Sequence, residues 1–269
     1  MILAASAALL SLLRKSSKKV SIPPAGWGFS EVALAFGSWY FLQFTMSAVV
    51  FLAFPPLPPS AVSRLLEHFS RLQFAVPAQI LGGAASGLIV AGGILSLPRL
   101  LGQPMSVLGL GTGSLRAGAF QGFLVWLCSL PGLLTLTVLW LYVLTILGLS
   151  TDQQQIVQVF RTSLLIKDYL PVVMIVFLAG VVAPIIEELL FRVVLFRWLE
   201  RQYGATIAIT SSGLIFGLIH GSLFSLLPIS ILGMILAALF HRTGNLWSCI
   251  ALHAAFNVGQ LSLMMSLAM

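Results

Sequence analysis

The chain has 269 residues, 59% of them hydrophobic and 8% charged, far from the about 25% charged residues of a soluble domain. That much apolar surface exceeds what a water-soluble core can hide, so the composition points to an all-α, polytopic transmembrane helix bundle. The formal charge of +7 comes from cations scattered between apolar runs, which fits orientation in a membrane and argues against nucleic acid as a partner.

Residues 1–13, MILAASAALLSLL, precede Arg14, Lys15, Lys18 and Lys19. A cleaved signal peptide carries its cations ahead of the apolar run, so this run is expected to remain as a short span or an interfacial anchor. Hydropathy then predicts spans at about 27–54, 74–97, 118–149, from 169 through YLPVVMIVFLAGVVAPII into EELLFR, and at 205–221, 223–240 and 246–268. That makes seven spans, or eight with the N-terminal run. The Pro-rich PPLPPSAVSRLLEHFSR breaks the chain after the first of them, and the Gly-rich PMSVLGLGTGSLRAG joins the second to the third. GLGTGS lacks the Lys of a phosphate loop and the strand context of a dinucleotide site, so it reads as a flexible interfacial connector. Gly83 and Gly87 have the small-xxx-small spacing of close helix packing. Cys128 and Cys249 stand alone in apolar runs and read as small buried hydrophobes.

With the N-terminal basic cluster on the cytoplasmic side, Arg99, Arg116, Arg192, Arg197, Arg201 and Arg242 fall on that side as well. Only Arg64, Arg71, Arg161 and Lys167 fall on the other. Ten cations against four follow the positive-inside rule. Residues 1–150 are read as N-terminal transmembrane helices and connectors, and residues 151–269 as the core that carries the chemistry.

Ionisable residues inside spans are rare and usually face a bundle interior or a water-filled cavity. Here they are Glu187, Glu188, Arg192, His220 and His253, with Asn257 beside them, all in the last third of the chain. Glu188 and Arg192, four apart with the acid first, form a favourable intrahelical pair. Glu187 projects about 100° away around the helix and needs a partner elsewhere. A turn at 202–204 puts Glu187 and His220 at nearly equal distances along two antiparallel helices, roughly 23 to 25 Å from the turn. His253 and Asn257, also four apart, share a face at comparable depth, and Phe216, one turn before His220, is expected to line the same cavity near the cytoplasmic face. A carboxylate, two imidazoles and an amide at one level are the groups of a hydrolytic site. His68 and His241 fall in predicted loops and carry no expected role. Taken singly, the Glu188–Arg192 pair reads equally well as a purely structural ion pair, and either histidine as a packing residue. Their shared depth favours a site.

EELLFR, FGLIH and HAAFN, in that order, resemble the EExxxR, FxxxH and HxxxN motifs of the type II CAAX protease family of intramembrane peptidases, the CAAX prenyl endopeptidases and bacteriocin-processing enzymes. The resemblance covers roughly residues 170–262; Val193 stands where the family often has Gly. It implies a bundle of about eight spans with a cavity open toward the cytoplasm. It further implies that Glu187 and His220 activate the water that attacks a peptide carbonyl, that Glu188 and Arg192 support them, and that His253 and Asn257 stabilise the oxyanion. The expected location is a prokaryotic cell membrane, and the expected partner is a membrane-associated, in some relatives prenylated, peptide or protein. The implied mechanism needs no cofactor. Zinc or another divalent metal held by Glu187, His220 and His253 is the alternative, although no HExxH is present. A non-proteolytic membrane regulator or immunity protein on the same bundle is the second reading of function. A proton or ion transporter using Glu187 and Glu188 is the third, and it lacks the paired discontinuous helices such proteins carry.

Overall fold

The computed structural model describes residues 23, 25–53, 75–111 and 114–268. The apolar run 1–13, the cluster Arg14, Lys15, Lys18 and Lys19, and the Pro-rich loop with Arg64, His68 and Arg71 lie outside these residues. Every regular element among the described residues is helical. In chain order they are α1 (Phe29–Ala53), α2 (Val76–Leu100), α3 (Leu115–Ile146), α4 (Gln155–Leu165), α5 (Tyr169–Tyr203), α6 (Ala205–Leu218), α7 (Leu223–Thr243) and α8 (Leu246–Ala268). Six of them, all but α4 and α6, are long and apolar enough to cross a membrane.

The fifth expected span, 205–221, is the 14-residue helix α6. At 1.5 Å per residue it extends about 21 Å, less than the ~30 Å hydrocarbon core. It ends at a turn carrying His220 and Gly221, where Gly221 adopts a φ of 62°, and α7 returns antiparallel to it. α4 was not expected from hydropathy because it is amphipathic: Ile156, Val159, Phe160 and Leu164 pack inward, whereas Gln155, Gln158 and Arg161 are exposed. α3 and α5, with 32 and 35 residues, extend about 48 and 52 Å. Both exceed the hydrocarbon core and must project beyond it.

One end of the bundle is laced together through backbone carbonyls. The Trp27 indole N–H donates to the Val194 carbonyl at 3.1 Å, and Arg201 donates to that of Ala25 at 2.7 Å. Arg197 is buried and donates to the carbonyls of Pro23 and Val107, under a cation–π contact with Trp27. The connector read as flexible is therefore packed down. Val107 and Leu108 are fully buried, and the Gly109 carbonyl accepts from the Leu246 N–H at 3.0 Å. Gly109 has a φ of 73° and sits so close to the Gly244 carbonyl that a Cβ would lie 2.7 Å from it. Apolar residues at 107 and 108 bury surface that a solvated loop would leave exposed, which is why composition alone misjudged this stretch. His241, expected in a loop, lies in the last turn of α7 and hydrogen-bonds to the Glu200 carboxylate.

The long helices approach closely at small residues. Gly87 on α2 is where Ile186, the residue before Glu187, comes in: a Cβ there would overlap the Ile186 side chain. Gly122 on α3 faces the Ser248 carbonyl and the Leu252 backbone nitrogen of α8, which a Cβ would crowd. Because these neighbours are backbone atoms, relief requires the helices to separate. Gly122→Ala is expected to destabilise the protein by about 1–3 kcal/mol in unfolding measured in detergent, whereas Gly37→Ala, with nothing within 4 Å of its Cβ, is expected to leave stability unchanged or slightly raised.

Candidate active site

The helix that carries both glutamates is irregular on either side of them. Leu178–Val182 and Leu189–Phe196 form wider π-type turns that flank an ordinary α-helical stretch, Ala183–Glu188. Insertions of this kind shift side chains around the helix relative to a regular 3.6-residue repeat and often mark functional sites. In the first of these turns the Ala183 N–H bonds to the Leu178 carbonyl five residues back. The same pattern would pair the Ala179 carbonyl with residue 184, which is proline and has no N–H. The Asn257 side-chain amide of α8 donates to that carbonyl instead, at 2.9 Å. Pro184 thus creates an acceptor and Asn257 satisfies it, which pins α8 to α5 beside Glu187.

The adjacent glutamates have different surroundings. Glu188 is fully buried and accepts three hydrogen bonds: from Arg192 Nε at 2.7 Å, from Arg192 Nη2 at 3.3 Å and from His253 Nδ1 at 2.9 Å. Arg192, also fully buried, has its guanidinium carbon 5.1 Å from the centroid of the Phe216 ring. Such a buried pair holds when charge and hydrogen bonds are matched; here Arg192 Nε and Nη2 are bonded, and Nη1 has no hydrogen-bond partner among the described residues.

Glu187 retains 16% side-chain exposure. Its Oε2 stands 3.9 Å from His220 Nε2 and 3.8 Å from His253 Nε2, and that oxygen has no hydrogen-bond partner among the described residues. The depth argument from the sequence therefore agrees with the geometry, as Glu187, His220 and His253 meet at one level. The protonation pattern of the imidazoles follows from their second contacts. His220 Nδ1 lies 2.6 Å from the Phe216 carbonyl, which can only accept, so Nδ1 carries the proton and Nε2 presents a lone pair toward Glu187 in the neutral ring. His253 Nδ1 likewise donates to Glu188.

Two residues have neighbourhoods that differ from the expected ones. Phe216 was expected to line the cavity and is instead fully buried. Its ring lies 4.9 Å from His220, 5.5 Å from His253 and 4.9 Å from Phe191 by centroid, in edge-type contacts. It is the floor on which both imidazoles and Arg192 rest. Asn257 shares a face with His253, as its spacing required, but its amide is engaged with Ala179. The sequence reading had no access to that link, since it depends on hydrogen-bond connectivity across two helices.

A zinc ion on Glu187, His220 and His253 would place its donors about 2.0–2.1 Å from the metal and, in tetrahedral geometry, roughly 3.4 Å from one another. The distances from Glu187 Oε2 to the two imidazoles are longer than that. No group of three or more His, Cys, Asp or Glu side chains among the described residues is placed to hold a metal ion.

Residues 169–259 match the family described as type II CAAX prenyl endopeptidase Rce1-like. Two curated relatives are similar to part of the chain. "Putative membrane peptidase YdiL" of Bacillus subtilis (strain 168) is 32% identical over 84 residues, which is 31% of this chain and 34% of the relative. "UPF0177 protein YbdI" of Lactococcus lactis subsp. lactis (strain IL1403) is 34% identical over 107 residues, 38% of this chain and 56% of the relative. The matched region thus spans from about a third to just over half of the relatives' length. No solved structure matches the chain.

Removing Arg192 would strand the Glu188 carboxylate in a site without water. Arg192→Met is expected to cost about 3–5 kcal/mol of stability, read by unfolding in detergent. The double variant Glu188→Gln/Arg192→Met should lose less than the two single losses combined, because their burden is shared.

Proposed function

We propose that the protein is an intramembrane endopeptidase that hydrolyses a peptide bond of a membrane-associated peptide or protein through a water activated by Glu187 and His220. The observation that carries the reading is the division of labour between neighbouring carboxylates. Glu188 is saturated by Arg192 and His253, whereas Glu187 Oε2 is sheltered, has no hydrogen-bond partner among the described residues and is faced by two imidazole nitrogens.

A water hydrogen-bonded at about 2.8 Å to both Glu187 Oε2 and His220 Nε2 spans the 3.9 Å between them. In that position Glu187 accepts the proton as the water oxygen attacks the carbonyl carbon, and His220 orients the second O–H. The tetrahedral intermediate then collapses as the C–N bond breaks, and the proton held by Glu187 passes to the leaving amine. His253, with Nδ1 anchored on Glu188, provides an Nε2–H donor toward the oxyanion when its ring carries the second proton. Asn257, for which the resemblance implies an oxyanion role as well, holds α8 against α5 through the Ala179 carbonyl. Burial strengthens each of these interactions because little water competes with them.

The family name of the matched segment, the intact EExxxR, FxxxH and HxxxN motifs and the membrane-spanning bundle support this class of reaction. Prenylated substrates, a prokaryotic cell membrane and a cytoplasmic opening of the site belong to the same proposal. The positive-inside distribution supports that orientation. No metal is assigned a step.

The test uses the purified full chain in nanodiscs with quenched fluorescent peptides that carry either a C-terminal farnesyl group or a transmembrane segment. Cleavage of one of these is expected, with loss of at least about 100-fold in kcat for Glu187→Gln and unchanged unfolding behaviour. Cleavage by Glu187→Gln at the parental rate would remove the assignment of the base. Absence of cleavage by the parent protein on all peptides would favour the non-proteolytic regulator. Activity is also expected to survive 1,10-phenanthroline and EDTA; loss on chelation with recovery on added zinc would instead place a metal on the same three side chains.

A further inference from the structure

The residues assigned so far all come from the last third of the chain, yet the site has another wall. α1 lies against α5, and two aromatic contacts fix their register. Phe29 meets Trp198 with ring centroids 5.7 Å apart, and Phe36 meets Phe191 edge-on at 5.2 Å. Between the two contacts each helix advances seven residues, in opposite chain directions; on α1 this is about two turns. One more turn, four residues, leads from Phe36 to Tyr40 on α1 and from Phe191 back to Glu187 on α5. Residues four apart share a face of the regular helix α1, so Tyr40 continues the Phe29–Phe36 face by one turn, to about the level of Glu187. The electrostatic influence of the Glu187 carboxylate reaches the Tyr40 hydroxyl. His220 approaches Glu187 from the turn after α6 and His253 from α8, whereas Tyr40 comes from α1. The residue is 48% exposed, with its ring against Trp39 at 5.3 Å, so a substrate segment at this level can reach it.

We propose that Tyr40 is a further catalytic residue, whose hydroxyl donates a hydrogen bond to the scissile carbonyl oxygen as it becomes the tetrahedral oxyanion. The inference rests on the peptidase reading above. A phenol suits this place. It is a neutral donor, so it adds no second buried charge beside the Glu187–Glu188–Arg192 cluster. An ammonium or guanidinium at the same depth in the bilayer would be costlier. The apolar ring tolerates a lipid-facing wall while the O–H reaches inward. Its bond strengthens only as negative charge builds on the carbonyl oxygen, which lowers the barrier without tightening ground-state binding. Tyr40 keeps its proton throughout: the water proton goes to Glu187 and then to the leaving amine, the C–O bond forms, and the C–N bond breaks.

The experiment compares the parent protein, Tyr40→Phe and Tyr142→Phe in nanodiscs on whichever farnesylated or transmembrane quenched peptide the parent cleaves. Tyr142, 65% exposed on α3, is the control for a tyrosine that faces only lipid. Tyr40→Phe keeps the ring, its packing and the expected unfolding profile, and should lower kcat by at least about 10-fold with KM within about threefold, while Tyr142→Phe matches the parent. Parental kcat in Tyr40→Phe, or an effect confined to KM, overturns the role of Tyr40 and leaves the peptidase reading standing. A parent protein that cleaves none of the peptides overturns the peptidase reading itself, and this inference with it.

Discussion

A carboxylate with no access to water has to be matched inside the protein, and Glu188 is matched by Arg192 on its own helix and by His253 from α8. That three-way contact joins two distant parts of the chain at a single buried point. It fixes the rotation of α5, and with it the direction in which Glu187 projects. It also fixes the imidazole of His253, so that one ring nitrogen is spent on structure and the other faces Glu187. Desolvated charges of this kind contribute little net stability when complete and cost much when broken. Their effect is to make one arrangement of the helices far better than its neighbours.

Around this point the packing is apolar and close. Phe216 supports both imidazoles and the guanidinium, and Gly87 admits Ile186 next to Glu187. The π-type turns on either side of Ala183–Glu188 let a long helix present two consecutive glutamates to different surroundings. Pro184 leaves the Ala179 carbonyl without its helical donor, and Asn257 completes it. The irregularity of the helix and the second contact between α5 and α8 are therefore one feature. At the far end, Trp27, Arg197 and Arg201 tie the stretch before α1 and the connector at Val107 onto α5, which holds α1 in the register that brings Tyr40 about level with Glu187.

Much of the candidate site could be read from the residues. Counting along two helices from a shared turn placed Glu187 and His220 at one depth, and a separate count from the start of α8 placed His253 there, because helix rise per residue is nearly constant. The spacing of Glu188 and Arg192 predicted their pairing for the same reason. What escaped the sequence were contacts set by side-chain direction or by backbone atoms. Phe216 points beneath the histidines rather than into a cavity, Asn257 bonds to a main-chain carbonyl, and Arg197 is buried on carbonyls although its charge suggested a solvated end. α6 was read as a full span because hydropathy registers apolar length and does not see where a helix stops.

The sequence by itself determined that this is a membrane-embedded helical protein, which residues inside the membrane are ionisable and in what order they occur along the chain. Composition and helical periodicity are local properties, and the scarcity of charge in apolar runs makes each exception visible. Only the tertiary structure decided which of two adjacent glutamates is spent on the scaffold and which is left for chemistry. That choice depends on a partner 65 residues away in the chain, and the energy of a buried charge is set by what surrounds it in space.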